Sequence, residues 1–253
     1  MNHVPDHNPA MGGNPVRDLH DEVARSDDPV IASTRPGSTT VREMQRMVDD
    51  VLTKLRPDGV TVIELGCGTG VLGVPIARRA SAYTGVDVSR EAVAVLRERL
   101  PAADVRCLDV TRDDLTGLGT FDRVLVYAVL HYVTTETEGS LFVRNALSLL
   151  KPGGVALFGN LPMPSADLPH TVVQRVAGMA WSAARRLGRP RSRTQVGGLP
   201  PGYCLPLTRL MIDGWVGSVR GTRSRWLTPR LGTPMQRTRA DLLVEKQGDG
   251  SRR

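Results

Sequence analysis

A doubly wound α/β sheet with helices on both faces is the fold class that this sequence predicts, and three observations predict it. From residue 60 to residue 161, short runs rich in Val, Ile and Leu alternate with runs of helical period. Parallel strands need crossovers of about that length, so the rhythm implies parallel pairing through right-handed connections. The first strand-like run, "VTVIEL", breaks into the alternating glycines Gly66, Gly68 and Gly70, which mark a tight strand-to-helix turn. The 253 residues are 40% hydrophobic and only 4% aromatic, a composition suited to a sheet and helices packed with Val, Leu and Ala.

The elements follow in order. Residues 1–18 are rich in Pro, Asn, Gly and His without periodicity and read as a disordered tail, and His3 and His7 have no acidic or Cys cluster beside them to build a metal site. A short helical pattern begins in "RDLHDEVARSDDP". The next, "STTVREMQRMVDDVLTKL", places Val41, Met44, Met47, Val48, Val51 and Leu55 on one face behind a Ser/Thr cap. Strand and helix then alternate through "VTVIEL", "GVLGVPIARRA", "AYTGVDV", "REAVAVLRERL", "ADVRCLDV", "FDRVLVYAV", "TEGSLFVRNALSLL" and "GVALFGNL". Residues 161–214 interrupt the rhythm with Pro, Gly and Arg and read as a substrate-side insertion or lid. Two final strands, "SVRGTRSRWL" and "RADLLVEK", complete a single domain over 19–253.

Composition narrows the function. Cys67, Cys107 and Cys204 are odd in number and far apart, which fits neither a disulfide framework nor a zinc site and suits a reducing cytoplasm. No apolar run approaches a membrane span or a secretion signal. Residues 1–160 carry 17 basic and 21 acidic side chains against 16 and 5 in residues 161–253, so the two parts bear −4 and +11. A positive field over the late segment attracts anionic partners.

In an open parallel sheet, ligands settle beyond the carboxyl ends of the strands. The glycine loop stands there, with main-chain N–H groups and a helix N-terminus open to a ligand. Its spacing is GxGxG, Glu64 precedes it by two residues, and Asp87 follows Gly66 by 21 positions at the end of the second strand, where a carboxylate accepts both ribose hydroxyls. Asp109 ends the third strand in "RCLDV". Taken singly, Asp87 and Asp109 are also ordinary strand-end acids capping turns, Cys67 is a small filler, and the arginines of "RRLGRPRSR" are a solvated face.

From about residue 40 to 160, and again over the last strands, the chain resembles the class I S-adenosylmethionine-dependent methyltransferases. "VIELGCGTG", "YTGVDVS", "VRCLDV" and "FDRVLVYAVLHYV" look like the family's first four motifs, in order, and "LLKPGGVALFGN" like the segment that introduces its fifth strand. The resemblance implies a Rossmann-like seven-stranded sheet whose last strand is antiparallel. It also implies S-adenosyl-L-methionine as cofactor and S-adenosyl-L-homocysteine as product. Glu64, Gly66, Cys67, Gly68 and Gly70 would surround the methionine end, Asp87 and Val88 the ribose, and Asp109 with the main chain of Leu108 and Val110 the adenine. Tyr127 to Tyr132 would line the meeting point of methyl and acceptor.

Methyl transfer from a sulfonium is an in-line displacement of an activated donor, so much of the catalysis is alignment. For a hydroxyl acceptor a base helps. His131 is the candidate because it titrates near neutrality, although its alternative role is to shape the pocket; Tyr132 and Tyr127 serve as walls or donors. Asn160, Arg189 and Arg191 complete the substrate side. Val172, Val173, Val176, Met179 and Ala180 form an apolar stripe on the insertion, and Arg185, Arg186, Arg189, Arg191 and Arg193 rim it. The expected acceptor is a small molecule, anionic or carrier-linked, methylated on oxygen in preference to nitrogen, in specialised-metabolite (natural product) or saccharide tailoring. A homodimer is the expected assembly, and neither membrane nor nucleic acid is an expected partner. Three other readings remain: a cofactor-binding protein without methylation, a rearrangement or decarboxylation assisted by the sulfonium, and RNA methylation.

Overall fold

The computed structural model describes residues 14–26, 39–164, 203–230, 232–233 and 238–248. Its sheet has seven strands: β1 (Thr61–Leu65), β2 (Ala82–Asp87), β3 (Asp104–Cys107), β4 (Phe121–Tyr127), β5 (Leu150–Pro162), β6 (Thr222–Leu227) and β7 (Arg239–Lys246). They lie in the order β3-β2-β1-β4-β5-β7-β6, with β7 antiparallel to both β5 and β6 and the other pairs parallel. This is the doubly wound arrangement expected from the sequence. The order reverses between β1 and β4, the switch point at which open parallel sheets bind their ligands.

The interior strands are buried on both faces. Ile63, Leu65, Val124, Val126, Ala156, Phe158, Leu242 and Val244 point into one core, and Val62, Leu125, Leu157 and Leu243 into the other. The first core is closed by α5 (Glu136–Ser148) and α6 (Arg209–Gly217); Trp215 of α6 lies so close to Gly139 of α5 that any Cβ there would meet the indole at 2.4 Å. The second is closed by α2 (Val41–Leu55), the short α3 (Gly73–Ala77) and α4 (Arg90–Arg99). Each fully buried Val, Leu, Ile or Phe contributes about 1.5–3 kcal/mol, so this alternation is the main source of the fold's stability.

The structure departs from the sequence-based reading in three places. Helix α1 (Pro15–Ala24) starts inside the stretch read as tail, because Asn14 caps it by accepting hydrogen bonds from the amides of Val16 and Arg17. Val41 stands first in α2 and is 77% exposed, outside the apolar face; Thr40 and Glu43 form the capping box there. The boundary at residue 214 falls within α6, whose Ile212, Trp215 and Val216 belong to the core. The lid stripe and the Arg185–Arg193 rim lie outside the described residues. Among the described residues, no helix is long and apolar enough to cross a membrane.

One buried ion cluster ties the late strands to α2. Lys54 Nζ donates to Asp50 Oδ2 and Asp241 Oδ2, each at 2.6 Å, and to the Thr228 carbonyl at 3.0 Å. Asp50 Oδ2 also accepts the amide of Arg230 at 3.0 Å. Burial pushes the Asp241 carboxyl up although Lys54 and the Asn160 amide pull it down. Removing one partner of such a cluster leaves uncompensated buried charge, at a cost of roughly 3–5 kcal/mol. Lys54→Met is therefore expected to lower unfolding free energy by about 3 kcal/mol in urea titration; a loss below about 1 kcal/mol would show that the two carboxylates protonate or find other partners without strain.

Candidate active site

The three glycines of the first loop answer to different neighbours. All three have positive φ, at 81°, 50° and 93°. A Cβ on Gly66 would meet Val129 Cγ2 at 2.1 Å, and one on Gly70 would meet Leu96 Cδ1 of α4 at 2.4 Å. At Gly68 it would meet nothing within 4 Å. The protein itself makes the close approach at the outer two glycines, where the loop wedges against the β4 turn and α4, and only Gly68 borders open space.

The loop is stitched to β2. The amides of Gly66 and Cys67 donate to the Val86 carbonyl at 2.7 and 3.0 Å. Gly68 N–H donates to Asp87 Oδ2 at 2.7 Å, and Ser89 N–H to Asp87 Oδ1 at 2.9 Å. Asp87 is thus held by two main-chain donors at the end of β2, 7% exposed, with a further lone pair on each oxygen for a diol. The sequence-based expectation for Asp87 and Gly68 is consistent with this geometry. Glu64 is buried beneath the loop and accepts the Tyr83 hydroxyl at 2.7 Å. Cys67 is filler, as its alternative reading had it: its sulfur lies against Gly85, and burial, then Asp87 and Glu64, push its thiol well up.

The adenine side departs from expectation. β3 stops at Cys107, so Asp109 lies two residues beyond the strand, in a turn. Its Oδ1 accepts the amide and hydroxyl of Thr111 at 3.0 and 2.7 Å, and its own amide donates to Asp113 Oδ2 at 2.7 Å. The Leu108 amide is committed to the Asp87 carbonyl at 3.0 Å, and the Val110 carbonyl to Asn145 Nδ2 at 2.7 Å. The Leu108 N–H therefore cannot serve a ligand, and Asp109 first stabilises its own turn. The Val88 carbonyl likewise receives the Cys107 thiol at 3.6 Å.

Across the crevice, β4 ends at Tyr127, and Ala128 takes the left-handed conformation, φ 61°. A 3-10 turn, Leu130–Tyr132, carries His131 and Tyr132. Their rings lie 4.3 Å apart. Nδ1 of His131 is buried and makes no hydrogen bond. Burial, then the positive charges of Arg239 and His20, push its imidazole down to about 3. His131 is therefore neutral here and does not titrate near neutrality, which corrects the reason for choosing it as a base. Tyr127 packs over Gly159, where a Cβ would meet its ring at 2.3 Å. Asn160, φ 57°, sits in the bulge of β5 with its amide donating to Asp241 Oδ1 at 2.8 Å. Arg189 and Arg191 lie outside the described residues.

Two side chains at this site were missed in the sequence. His20, on α1, meets the Tyr132 ring edge-on at 5.2 Å; burial pushes it down against the pull of Asp87 and Asp21. Arg239, first in β7, disfavours the protonated form of His131, and burial pushes its own guanidinium down. The only sequence signal for either was its position: one on the helical face of Arg17 and Asp21, the other at a strand start in an antiparallel pair.

Residues 63–156 match a family model described as a methyltransferase domain. Among curated proteins, the chain is 34% identical to a cypemycin N-terminal methyltransferase of a Streptomyces species, over 54% of each chain. It is 33% identical to a ubiquinone biosynthesis O-methyltransferase of Caulobacter vibrioides, over 41% of this chain and 42% of that one. The matched stretch spans about half or less of these relatives' lengths. Among solved structures, that of CalS10 with S-adenosylmethionine bound, an amino pentose methyltransferase from Micromonospora echinaspora involved in calicheamicin biosynthesis, superposes with a TM-score of 0.58 at 20% identity, covering 83% of this chain and 93% of that one. Motifs in order, sheet order and this domain match together support a methyltransferase domain of the class I S-adenosylmethionine-dependent type over residues 63–156.

Proposed function

We propose that the protein transfers the methyl group of S-adenosylmethionine to a small-molecule acceptor, on oxygen in preference to nitrogen, in specialised-metabolite or saccharide tailoring, and that the acceptor is anionic or carrier-linked. The carrying observation is Asp87, fixed by the Gly68 and Ser89 amides beside a glycine whose outer side is open. When bound, the cofactor supplies a methyl group already activated as a sulfonium; the bond to sulfur breaks with its electron pair going to sulfur as the acceptor atom bonds to carbon. The chain's own residues have two tasks: to align the acceptor and to receive or pass on the proton it loses. A neutral, buried imidazole at His131, beside the phenol of Tyr132, suits the first as a hydrogen-bond acceptor for a hydroxyl. The O-methyltransferase relative supports oxygen, and the amino pentose enzyme supports a saccharide acceptor. Membership of the first relative in N-terminal methylation leaves nitrogen as the second choice.

The test is release of S-adenosylhomocysteine with a panel of nucleotide-linked sugars, phenols and amines. Stoichiometric release with acceptor methylation is expected. Cofactor binding without release on any acceptor supports the non-methylating reading instead. Asp87→Ala is expected to weaken cofactor binding at least tenfold in calorimetry, about 1.4 kcal/mol, and Gly68→Val to abolish it while the circular dichroism spectrum stays native. Wild-type affinity in both variants would remove the loop from the cofactor site.

His131 also sets a pH dependence. Its folded-state value lies below the ordinary 6.5, so its contribution is fully present above about pH 6.5 and is lost as pH falls toward about 3; His20, also lowered, acts in the same sense. Between pH 7 and pH 5 wild-type protein is expected to lose about 1–2 kcal/mol of unfolding free energy to His131, and His131→Asn, which cannot titrate there, to lose correspondingly less. Parallel acid limbs for the two proteins in denaturant titrations would show that the imidazole is protonated without penalty.

A further inference from the structure

Arg17 is a charge without a counter-charge. It stands in the first turn of α1, where the Asn14 side chain accepts its amide at 3.2 Å, and it is half-buried. Its Nε is buried without a partner, and among the described residues its guanidinium makes no hydrogen bond or ion pair. Asp21, the acid one helical turn away that could pair with it, is turned elsewhere: its Oδ1 accepts the Ser89 hydroxyl at 2.5 Å and the Glu91 amide at 3.3 Å.

Three contacts fix where this helix lies. Read backward along the chain, Arg25 pairs with Glu91 of α4 at 3.1 Å, Asp21 holds Ser89 just past the end of β2, and His20 meets the Tyr132 ring in the turn after β4. Helix α1 therefore crosses the carboxyl ends of the strands from the β2 side toward β4. Arg17 shares the face of His20 and Asp21, and stands one turn farther on, about 4.5 Å along the axis. The opposite residues, Asp18 and Glu22, are exposed. Two more buried side-chain atoms without a partner belong to this end of the sheet: Oγ1 of Thr69 in the first loop and Nδ1 of His131 in the turn after β4. Buried polar groups are nearly always hydrogen-bonded, so orphans gathered at one end of a sheet mark where a polar ligand docks.

A guanidinium offers a planar fork of donors matched to a carboxylate or phosphate. We propose that Arg17 binds a carboxylate or phosphate of the methyl acceptor, which makes α1 a wall of the acceptor site. The proposal rests on the methyl-transfer reading and names the residue that reads the acceptor's charge. The course of α1 favours the acceptor over the cofactor as the source of the anion, because Arg17 lies beyond Tyr132 on the side away from Asp87.

The experiment uses the full chain saturated with S-adenosylhomocysteine, titrated by calorimetry with methyl phosphate in one arm and benzoate in the other. Wild type is expected to bind at least one of the two, and the stronger arm identifies the acid group. Arg17→Gln should weaken that binding at least tenfold while S-adenosylhomocysteine affinity stays within twofold, which also shows the variant folded. Arg17→Lys, which keeps the charge and loses the fork, should fall between the two, and Arg25→Gln, exposed on the same helix, should match wild type. A second pair of titrations separates the two sources of a carboxylate. If Arg17→Gln loses affinity for S-adenosylhomocysteine but binds 5′-methylthioadenosine, which lacks the carboxylate, as wild type does, Arg17 serves the cofactor and the proposal fails. If both of these ligands weaken, α1 has been displaced, and Arg17→Lys carries the comparison: anion binding equal to wild type then overturns the proposal. Equal anion binding in wild type and Arg17→Gln, or none by wild type in either arm, overturns it while leaving the methyltransferase reading intact. Failure of wild type to bind S-adenosylhomocysteine overturns both.

Discussion

The side chain on which most of the late structure depends is Asp241. Its two oxygens face different parts of the molecule: Oδ2 takes Lys54 of α2, and Oδ1 takes the amide of Asn160 in β5. An antiparallel strand inserted between β5 and β6 has to be held in register where the β5 ladder is interrupted, and the interruption, between Phe158 and Leu161, is where the Asn160 amide would otherwise lack a ladder partner. The carboxylate supplies that partner, Lys54 makes its burial tolerable, and Asp50 and the Arg230 amide extend the cluster to the segment after β6. The left-handed Asn160 is thus supported from behind, which is how a strained residue persists at the edge of a site.

The first loop shows how one sequence feature can carry two constraints. Gly66 and Gly70 are dictated by Val129 and Leu96, and would be glycine in this packing with no ligand at all. Gly68 has no such neighbour, and its amide is turned onto Asp87. A glycine motif read from sequence mixes these causes. Coordinates separate them: packing accounts for two of the three glycines and leaves open space at the third.

The fold was legible because strands buried on both faces and amphipathic helices each have a period that survives in one dimension. The placement of Asp87 at the end of β2 was legible for a related reason: a strand end is a topological address. Asp109 was not, because β3 ends two residues early and a turn with Thr111 and Asp113 competes for its polar groups, a competition that strand patterning does not reveal. The titration of His131 was illegible for a different reason. Its neutral state comes from burial and from two positive groups, one 111 residues earlier and one 108 later in the chain, and no local pattern encodes such a meeting.

Helix α1 links the end of β2 to the turn after β4. Asp21 accepts the Ser89 hydroxyl at 2.5 Å and the Glu91 amide at 3.3 Å, while Ser89 itself both caps α4 and donates its amide to Asp87. One residue before Asp21, His20 touches Tyr132. A single turn of helix therefore rests on Asp87 through Ser89 and on the β4 turn through the aromatic edge of Tyr132. Asp87, Ser89 and Tyr132 are thereby joined through one helix. That contact gives the N-terminal segment, which carries none of the family-like motifs, a physical part in forming the site.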